Sequence, residues 1–470
     1  MSSEPPTERV SVARIAVLAL AVLFVASVAL GRLSGGERPR NGSLPTSSLS
    51  HTAPSQQNCI YSEWSAPIQV AIPFGSFVRW PSIAVSATEA YVVGNDIPWL
   101  DESLFRPRPL LALSLPERIL GPPGGNFTFA FPKAVVDSRD VLHVIWSEPD
   151  SIAPRTGSDW VELSGTQGSI WYASFSNNVW TKPSQLYRGV DLQWSDVQAD
   201  VKIDNVDRLH VAVVDDRVTS SVLLYMTREG TAWRQTRIPV HGAVYSSIAV
   251  GSEGEVYIAY IGPDTTMLPD ANSVFVTRSF DAGNTWSSPQ LISRSGERQA
   301  FEVKVISTPD GVIHLVWAQN LSGGIQAAVI RHIFLISPNE RYQLWSFPHD
   351  LDVEDGFFGL QAISDACGSI HVLYSTWTVH DSSSDPDDYV NELWYMYKDS
   401  AWSIPTRLFP HLNSLQPAIG SSPTAPGVQL FWSARPIESI GREPFRPQMS
   451  RRSFQVGRLA PVLTNVDPSS

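Results

Sequence analysis

One pattern recurs along most of the chain and constrains its fold more than any other feature. Each copy has an apolar run, a turn with Asp or Gly, and an alternating strand that usually ends in an aromatic residue. Equivalent positions in the alternating strands lie 47 to 67 residues apart, at Tyr91, His143, His210, Tyr257, His314, His371 and Gln429. A repeat of this length, filled with short strands, predicts a β-propeller rather than a β-sandwich.

Most copies continue with a third strand, a turn and a fourth strand that begins with Trp, most clearly in 170–180, 223–233, 274–286 and 393–402. Four strands per copy and seven copies predict an all-β propeller of four-stranded blades, with seven blades favoured and six as the alternative. The segment Tyr61–Pro67 reads as a fourth strand without a blade of its own. We expect it to complete the last blade, which ends near Leu463, because such closure hides open sheet edges.

The turn at residues 279–286 has the sequence Ser-Phe-Asp-Ala-Gly-Asn-Thr-Trp. Asp281 is placed to accept hydrogen bonds from the backbone of the turn, and Gly283 tolerates a positive φ. Ser279 and Thr285 can bridge the two strand ends, while Trp286 supplies a large ring to pack between neighbouring sheets. These spacings predict a tight hairpin connection.

The same five positions, Ser279, Asp281, Gly283, Thr285 and Trp286, resemble the Asp-box (BNR repeat) of the sialidase-like β-propeller superfamily. The resemblance covers about residues 59–465 and implies a propeller fold. It does not by itself imply sialidase activity, since the motif also occurs in propellers without that chemistry. Asp-box turns lie on one face of such a propeller. The long loops lie on the opposite face, and binding and catalytic residues concentrate in such loops.

A second resemblance concerns Phe77-Val-Arg-Trp-Pro81, which is similar to the F/Y-R-I-P motif of sialidases, with an added Val and with Trp in place of Ile. The resemblance implies that Arg79 binds a substrate carboxylate. A planar guanidinium suits that role because it offers two parallel hydrogen bonds. The alternative is an arginine that only begins a strand.

The sialidase mechanism that this resemblance implies needs two further arginines, a Tyr nucleophile assisted by Glu, and an Asp acid/base. No motif singles out the residues for these roles, and solvated surface charge is the alternative for each of them. The candidates are Asp101 in the first long loop as the acid/base (with Asp96 competing), Arg298 and Arg435 on loops of the expected face, Tyr374 as the nucleophile (with Tyr389 competing), and Glu302 or Glu148 as the assisting carboxylate.

Residues 15–31 are uncharged and almost wholly apolar, which predicts a transmembrane anchor or a signal segment, with the uncleaved anchor favoured. Residues 1–14 would then form a cytoplasmic N-terminus, 32–57 a flexible Ser/Pro/Gly-rich tether, 58–465 the propeller and 466–470 a C-terminal tail. This organisation predicts a single-pass protein of the cell membrane with the propeller outside the cytoplasm, or a secreted one if the segment is cleaved.

Net charge and the placement of particular residue types limit the kinds of ligand and partner that the chain is expected to bind. The formal net charge is −12 and no Lys/Arg-rich run interrupts the repeats, which argues against nucleic acid. No cofactor or metal is expected, because histidines that recur once per blade are too far apart to share an ion and read as packing residues. A calcium site in the acidic loop 381–388 is less favoured than a solvated loop. Cys59 and Cys367 could pair in an exported protein or remain thiols.

The sequence therefore predicts a membrane-tethered, extracytoplasmic propeller that recognises a glycan or another extracellular ligand on its loop face. One alternative is an active exo-glycosidase of the sialidase type that hydrolyses terminal sialic acid-like sugars. The other is a non-catalytic scaffold that binds an extracellular protein.

Overall fold

The computed structural model describes residues 59–66, 68–70, 76–98, 110–115, 118–120, 132–149, 167–191, 199–215, 222–240, 242–264, 272–293, 299–322, 324–337, 344–379, 389–436 and 453–463. All regular secondary structure within these ranges is β-strand. None of these residues belongs to a helix long and apolar enough to cross a membrane. The predicted anchor 15–31, the tether 32–57, the N-terminus 1–14 and the tail 466–470 lie outside the described residues.

The described strands form seven antiparallel sheets, numbered here in chain order, and two N-terminal strands belong to the last sheet. Those two are β1 (Cys59–Trp64) and β2 (Ile68–Val70). Sheet 1 contains β3 (Ser76–Val85), β4 (Ala90–Pro98), β5 (Leu110–Leu115) and β6 (Arg118–Leu120). Sheet 2 contains β7 (Lys133–Val136), β8 (Leu142–Pro149), β9 (Gln167–Ser176), β10 (Val179–Trp180) and β11 (Ser184–Asp191). Sheet 3 contains β12 (Ala199–Ile203), β13 (Leu209–Asp215), β14 (Val222–Glu229) and β15 (Ala232–Ile238).

The remaining sheets repeat this order. Sheet 4 contains β16 (Tyr245–Val250), β17 (Val256–Pro263), β18 (Asn272–Ser279) and β19 (Gln290–Leu291). Sheet 5 contains β20 (Ala300–Ser307), β21 (Ile313–Ser322), β22 (Gly324–Ser337), β23 (Leu344–Trp345) and β24 (His349–Asp355). Sheet 6 contains β25 (Phe357–Ser364), β26 (Ile370–Val379), β27 (Tyr389–Lys398) and β28 (Thr406–Leu408). Sheet 7 contains β29 (Leu412–Ser421), β30 (Val428–Pro436) and β31 (Ser453–Leu463), joined by β1 and β2.

The first strands of consecutive sheets contact one another in the order β3, β7, β12, β16, β20, β25, β29 and back to β3. This arrangement is consistent with a β-propeller whose inner strands surround a central channel. Because the sheets pack on both faces, the described second strands are buried on both sides along much of their length. In β13, for example, all seven residues are buried, so the alternation typical of a half-exposed strand is lost.

The N-terminal strand closes the last sheet, as the sequence predicted. β1 pairs antiparallel with β31, Cys59 opposite Leu463, and so supplies the outer strand of sheet 7. The buried Tyr61 hydroxyl donates a hydrogen bond to the carboxylate of Asp365 in the neighbouring sheet 6 turn. Cys367, two residues further on, is disulfide-bonded, and Cys59 is the other cysteine of the chain. Side-chain contacts with sheet 6 therefore hold the closing strand in place.

The outer strand is broken into two pieces in three sheets, where β1 and β2, β10 and β11, and β23 and β24 each share one partner strand. The sequence at each break is Trp-Ser/Thr-x-Pro, as in Trp180-Thr-Lys-Pro183. Proline lacks the N–H that a continuous ladder requires. Sheet 3 has Thr236 at the proline position, and its outer strand β15 runs unbroken from Ala232 to Ile238.

The repeated tryptophans form core, as the sequence predicted. Trp146, Trp317 and Trp432 lie within three second strands and are fully buried. The tryptophans that follow the turns after the third strands, such as Trp233 and Trp286, are partly buried against the clusters between sheets. Their contacts with these clusters make the rings part of the packing between sheets.

The turn at 279–286 has the hydrogen bonds that its sequence predicts. The carboxylate of Asp281 accepts bonds from the Thr285 N–H (2.8 Å), the Thr285 hydroxyl (2.7 Å) and the Ser279 hydroxyl (2.7 Å). Gly283 has a φ of +84°. The slight burial of Asp281 acts to raise its pKa, but the bonds from Thr285 and Ser279 prevail and lower the pKa to about 2.

This turn also packs on the preceding sheet. The ring of Trp286 meets that of Tyr225 edge to face at a centroid distance of 5.0 Å, and the Tyr225 hydroxyl donates to the Ala282 carbonyl (3.2 Å). Thr236 donates to the Gly283 carbonyl (3.1 Å). The turn thus connects sheet 4 to sheet 3 through ring packing and hydrogen bonds.

The recurring histidines are packing residues with hydrogen-bond partners. The Nδ1 atoms of His143, His210 and His371 lie 2.7 to 2.8 Å from the hydroxyls of Tyr172, Tyr225 and Tyr395, one strand away in the same sheet. His314 instead stacks on His332, with Nδ1 3.0 Å from Nε2. No group of three or more metal-ligating side chains is found in the part of the chain that the structure describes.

Candidate functional site

The inner strands line a central cavity of about 550 Å³. At one end, here called the turn face, each inner strand turns into the second strand of its sheet. At the opposite end, the loop face, the chain enters each inner strand. Four residues before the turn, each inner strand contributes one residue to a ring around the cavity, here called the polar layer. Its members are Ser82, Lys133, Asp200, Ser247, Lys304, Gln361 and Ala418.

The polar layer links consecutive sheets. Ser82 Oγ accepts a hydrogen bond from the backbone N–H of Ala134 (3.1 Å), and Ser247 Oγ accepts one from Val305 (3.3 Å). Asp200 makes the corresponding link, because its Oδ2 accepts from the N–H of Ile248 (3.0 Å). A short polar side chain at this register therefore joins one inner strand to the next.

Asp200 is the carboxylate of the layer, and its oxygens are already engaged. Besides the Ile248 N–H, its Oδ2 accepts from the Ser247 hydroxyl (2.9 Å), and Oδ1 accepts from the N–H of Val201 (2.9 Å). Burial acts to raise its pKa, but the ammonium groups of Lys202, Lys304 and Lys133, together with the Ile248 N–H, lower it. Asp200 is therefore an ionised structural carboxylate rather than a proton donor near neutral pH.

Three lysines from three sheets act electrostatically on this carboxylate. Lys133 and Lys304 belong to the polar layer, and Lys202 lies two residues nearer the turn face, with Nζ 3.9 Å from Asp200 Oδ1. The Lys304 ammonium donates a hydrogen bond to the Tyr245 hydroxyl and lies 5.0 Å from the centre of that ring. Tyr245 begins β16, so Lys304 reaches toward the loop face. This part of the described wall carries three positive charges and one negative charge.

The other carboxylates of the cavity lining lie at the turn face. Asp204 Oδ2 is 3.2 Å from His210 Nε2, and Asp365 Oδ2 is 3.5 Å from His371 Nε2. Burial acts to raise the pKa of both carboxyls, but contact with these histidines and with backbone N–H groups lowers it. Along the described wall, Lys133 and Lys304 therefore lie nearer the loop face, and the carboxylates of Asp204 and Asp365 lie at the turn face.

The site residues expected from the sialidase resemblance are not assembled by the described residues. Asp101 and Arg298 lie outside them. Arg79 lies in β3 and Arg435 in β30, and their side chains are outside the described part of the structure. Tyr374 is fully buried between sheets 5 and 6 and donates a hydrogen bond to Asp352.

The competing candidates are not brought together by the described residues either. Glu302 accepts a hydrogen bond from the N–H of Leu360, which ties sheet 5 to sheet 6. Glu148 is partly buried in β8. The side chains of Asp96 and Tyr389 fall outside the described residues. The roles that the resemblance implies for these residues stay predictions.

Sequence reasoning missed the lysines of the channel wall. Lys133, Lys202 and Lys304 each stand inside an apolar run that is read as a buried strand. The signal was their register, because Lys133 and Lys304 both precede the turn residue of their repeat by four positions. Aligning all seven copies at that turn residue would have placed them in one ring.

Comparison with known proteins finds no matching family model and no matching curated protein. The chain is similar in structure to a polysaccharide lyase, an ulvan lyase bound to -[GlcA(1-4)Rha3S]-, at 10% identity and a TM-score of 0.47 over 83% of this chain and 95% of that one. It is also similar to an α-L-arabinanase of Penicillium chrysogenum complexed with arabinobiose, at 11% identity and a TM-score of 0.42 over 69% and 92%.

A third similar structure is a subtype N10 neuraminidase-like protein of A/little yellow-shouldered bat, at 10% identity and a TM-score of 0.40 over 86% of this chain and 99% of that one. Identities and TM-scores this low assign neither a family nor an activity. The fold rests on the strand pairing and the ring of inner strands described above.

Proposed function

We propose that this chain is a seven-bladed, extracytoplasmic propeller that binds a glycan at the loop-face end of its channel and is tethered to the membrane by residues 15–31. The observation that carries the proposal is the wall formed by Lys133, Lys202, Lys304 and Tyr245. Ligand sites in proteins are concave, have volumes of about 300–1,000 Å³ and combine apolar surface with a few placed polar groups. The cavity of about 550 Å³ fits that description.

Binding is favoured over hydrolysis by the state of the wall carboxylate. Glycoside hydrolysis by a carboxylate pair requires two acids about 5–9.5 Å apart on either side of the scissile bond. Among the described residues near the lysines, Asp200 is the carboxylate of the wall, and both its oxygens accept hydrogen bonds from the protein. The wall is therefore suited to holding a ligand rather than to hydrolysis by a carboxylate pair.

The full-length chain in detergent solution, applied to a glycan microarray, tests this function. We expect a defined subset of glycans to bind, and we expect Lys202→Met to weaken that binding. Lys182→Met is the matched control, because Lys182 is an exposed lysine of sheet 2 outside the cavity lining. A folded wild-type chain that binds no glycan would contradict the proposal.

The exo-glycosidase alternative depends on Arg79, which precedes Ser82 by three positions in β3. A fluorogenic sialoside assay on wild type and Arg79→Ala tests it. Release of the fluorophore by wild type and its loss in the variant would support hydrolysis. Background signals from both would rule out a sialidase.

The tether is tested in cells. Full-length chain should remain in the membrane pellet after alkaline carbonate extraction, whereas a chain that starts at residue 58 should not. Recovery of the full-length chain in the soluble fraction would refute the anchor.

A further inference from the structure

We propose that the outer edges of sheets 5 and 6 carry an apolar patch that inserts into the interfacial layer of a lipid bilayer and turns the turn face of the propeller toward the membrane. The patch, here called the apolar rim, consists of Phe334, Ile336, Leu344, Phe347 and Ile404. The proposal rests on the proposed function only for the tether that brings the propeller to the membrane.

The apolar rim is a cluster rather than a scatter of single side chains. Among the described residues, ten large hydrophobic side chains are exposed, and five of them belong to the rim. Phe347 is 90% exposed and Ile404 85%, the two largest values among the ten. Single exposed apolar residues are ordinary, whereas several in one place indicate a surface that binds a partner or a membrane.

Four members of the rim lie on one hairpin. The carbonyl of Phe334 in β22 accepts a hydrogen bond from the N–H of Ser346 (2.9 Å), and the N–H of Phe334 donates to Ser346 Oγ (3.0 Å). Phe347 directly follows Ser346, and Leu344 in β23 lies opposite the residue after Ile336. These four side chains therefore share the outer edge of sheet 5.

Ile404 extends the rim onto sheet 6. Two residues before it, Trp402 packs edge to face on His332 of sheet 5, with ring centroids 5.0 Å apart. His332 precedes Phe334 by two residues, and the centroids of their rings lie 6.2 Å apart. The outer edges of the two sheets therefore adjoin at the rim.

The rim lies at the turn-face end of its sheets. Phe334 pairs with His314, the second residue of β21. In sheet 6, Trp402 bridges to Lys398, which pairs with Ile370, the first residue of β26. Because β21 and β26 are second strands and begin at the turn face, the rim residues lie at that end as well.

The closing strand enters the propeller at the same face. β1 begins at Cys59, opposite Leu463 at the end of the third strand β31, and Tyr61 is hydrogen-bonded to Asp365 in the inner turn of sheet 6. A tether over residues 32–57 would therefore attach at the turn-face end, beside sheet 6. A flexible chain of that length spans about 25–30 Å on average, which would keep the rim close to the bilayer.

A lipid surface fits the rim better than a soluble partner does. All five rim residues are Phe, Ile or Leu, and such side chains enter the interfacial layer of a bilayer. They offer no polar group that would orient a protein partner. A tether also presents the bilayer at a high effective concentration, so that a few apolar side chains are sufficient.

Charge at the turn face determines the kind of lipid. The exposed charged residues of the described inner turns are Glu89, Asp140, Glu253 and Asp310, with Arg139 as the one cation. Anionic lipid attracts basic segments, and carboxylates predominate here. We therefore expect the rim to insert into neutral phosphatidylcholine without the help of anionic lipid.

A fluorescent probe at position 347 tests contact with lipid in the full-length chain. Phe347→Cys supplies a free thiol, since Cys367 is disulfide-bonded and Cys59 is the only other cysteine. Val244→Cys is the matched control, because Val244 is 44% exposed and precedes the inner strand β16 at the loop face.

Both proteins are labelled with a nitrobenzoxadiazole dye and reconstituted into phosphatidylcholine vesicles. Phosphatidylcholine that carries a nitroxide on its acyl chain should quench the probe at 347 about threefold or more beyond the probe at 244, because inserted apolar side chains reach about 5–10 Å into the boundary layer. Equal quenching at the two positions would overturn the proposal.

A second measurement uses the wild-type chain in the same vesicles. A photoactivated diazirine that partitions into lipid should label the peptides that contain the rim, 331–347 and 401–407, and should leave the peptide around Val244 unlabelled. Labelling of residues 15–31 without labelling of the rim would overturn the proposal and leave the anchor intact.

The remaining outcomes separate the rim from other occupants and from the tether. A probe at 347 whose emission shifts to the blue without quenching by the nitroxide lipid would identify a second copy or another protein as the occupant, and lipid contact would be wrong. If the rim is labelled but alkaline carbonate releases the full-length chain, the rim stands and the anchor fails.

Discussion

Replacing Gly283 by alanine is predicted to be among the most destabilising small substitutions in the described part of the chain. Gly283 has a φ of +84°, and a Cβ at this position would overlap the ring of Tyr225 on the preceding sheet. That ring is fully buried and cannot move aside without breaking its 2.7 Å contact with His210 Nδ1. The turn and its neighbour therefore fit together only if residue 283 has no side chain.

Two costs add for this substitution. A side chain in the left-handed backbone region costs about 1–2 kcal/mol. Forcing a methyl group against a closely packed ring costs a further amount of about 1–3 kcal/mol. We therefore expect Gly283→Ala to lower the free energy of unfolding by about 2–5 kcal/mol.

Gly254→Ala is the matched control. Gly254 also has a φ of +84°, but no atom lies within 4 Å of its would-be Cβ. Denaturant unfolding followed by tryptophan fluorescence should show that Gly254→Ala loses only the backbone cost of about 1–2 kcal/mol. Equal losses in the two variants would refute the packing of the turn on Tyr225.

Three further predictions concern pH and ring closure. The pKa of Asp281 is about 2 in the folded chain, below its ordinary 3.8. The ionised carboxylate therefore contributes stability that is lost as the pH falls from about 4 to 2. In Asp281→Asn, the free energy of unfolding should depend less on pH in that range. Burial lowers the pKa of His314 to about 4 and that of His332 to about 3. Below pH 6.5 the unfolded chain therefore binds more protons than the folded chain, and the free energy of unfolding should decline from there toward pH 4. His332→Phe should reduce this decline. Tyr61→Phe removes the bond to Asp365 and should cost about 1–3 kcal/mol in denaturant unfolding; an unchanged midpoint would contradict the role of that bond in closing sheet 7.

The sequence predicted those features that short-range chemistry determines. The residues of the 279–286 turn have side chains whose bonding is local, so their spacing was sufficient to predict the hydrogen bonds of Asp281 and the positive φ of Gly283. The closing strand was predictable because Tyr61–Pro67 matches the outer strand of other repeats and has no other sheet to join.

The channel wall was not predictable from any single repeat. In strands buried on both faces, alternation does not distinguish a residue that faces the channel from one that faces a neighbouring sheet. Tyr374 illustrates the difficulty: it occupies the repeat position of the buried Trp146, Trp317 and Trp432, and it lies in the core beside Asp352 rather than at the channel. The lysines became a site only when three separate strands were placed in one ring.

Binding of a fluorescent glycan chosen from the microarray tests the central claim most directly when it is measured on wild type, Lys202→Met, Lys304→Met and Lys182→Met, because the comparison asks whether the ligand occupies the lysine wall. We expect Lys202→Met and Lys304→Met each to raise the dissociation constant about tenfold, because each removes a charge-assisted interaction with the ligand. Lys182→Met, which lies outside the cavity lining, should leave the dissociation constant unchanged. Equal dissociation constants in all four proteins would contradict the account.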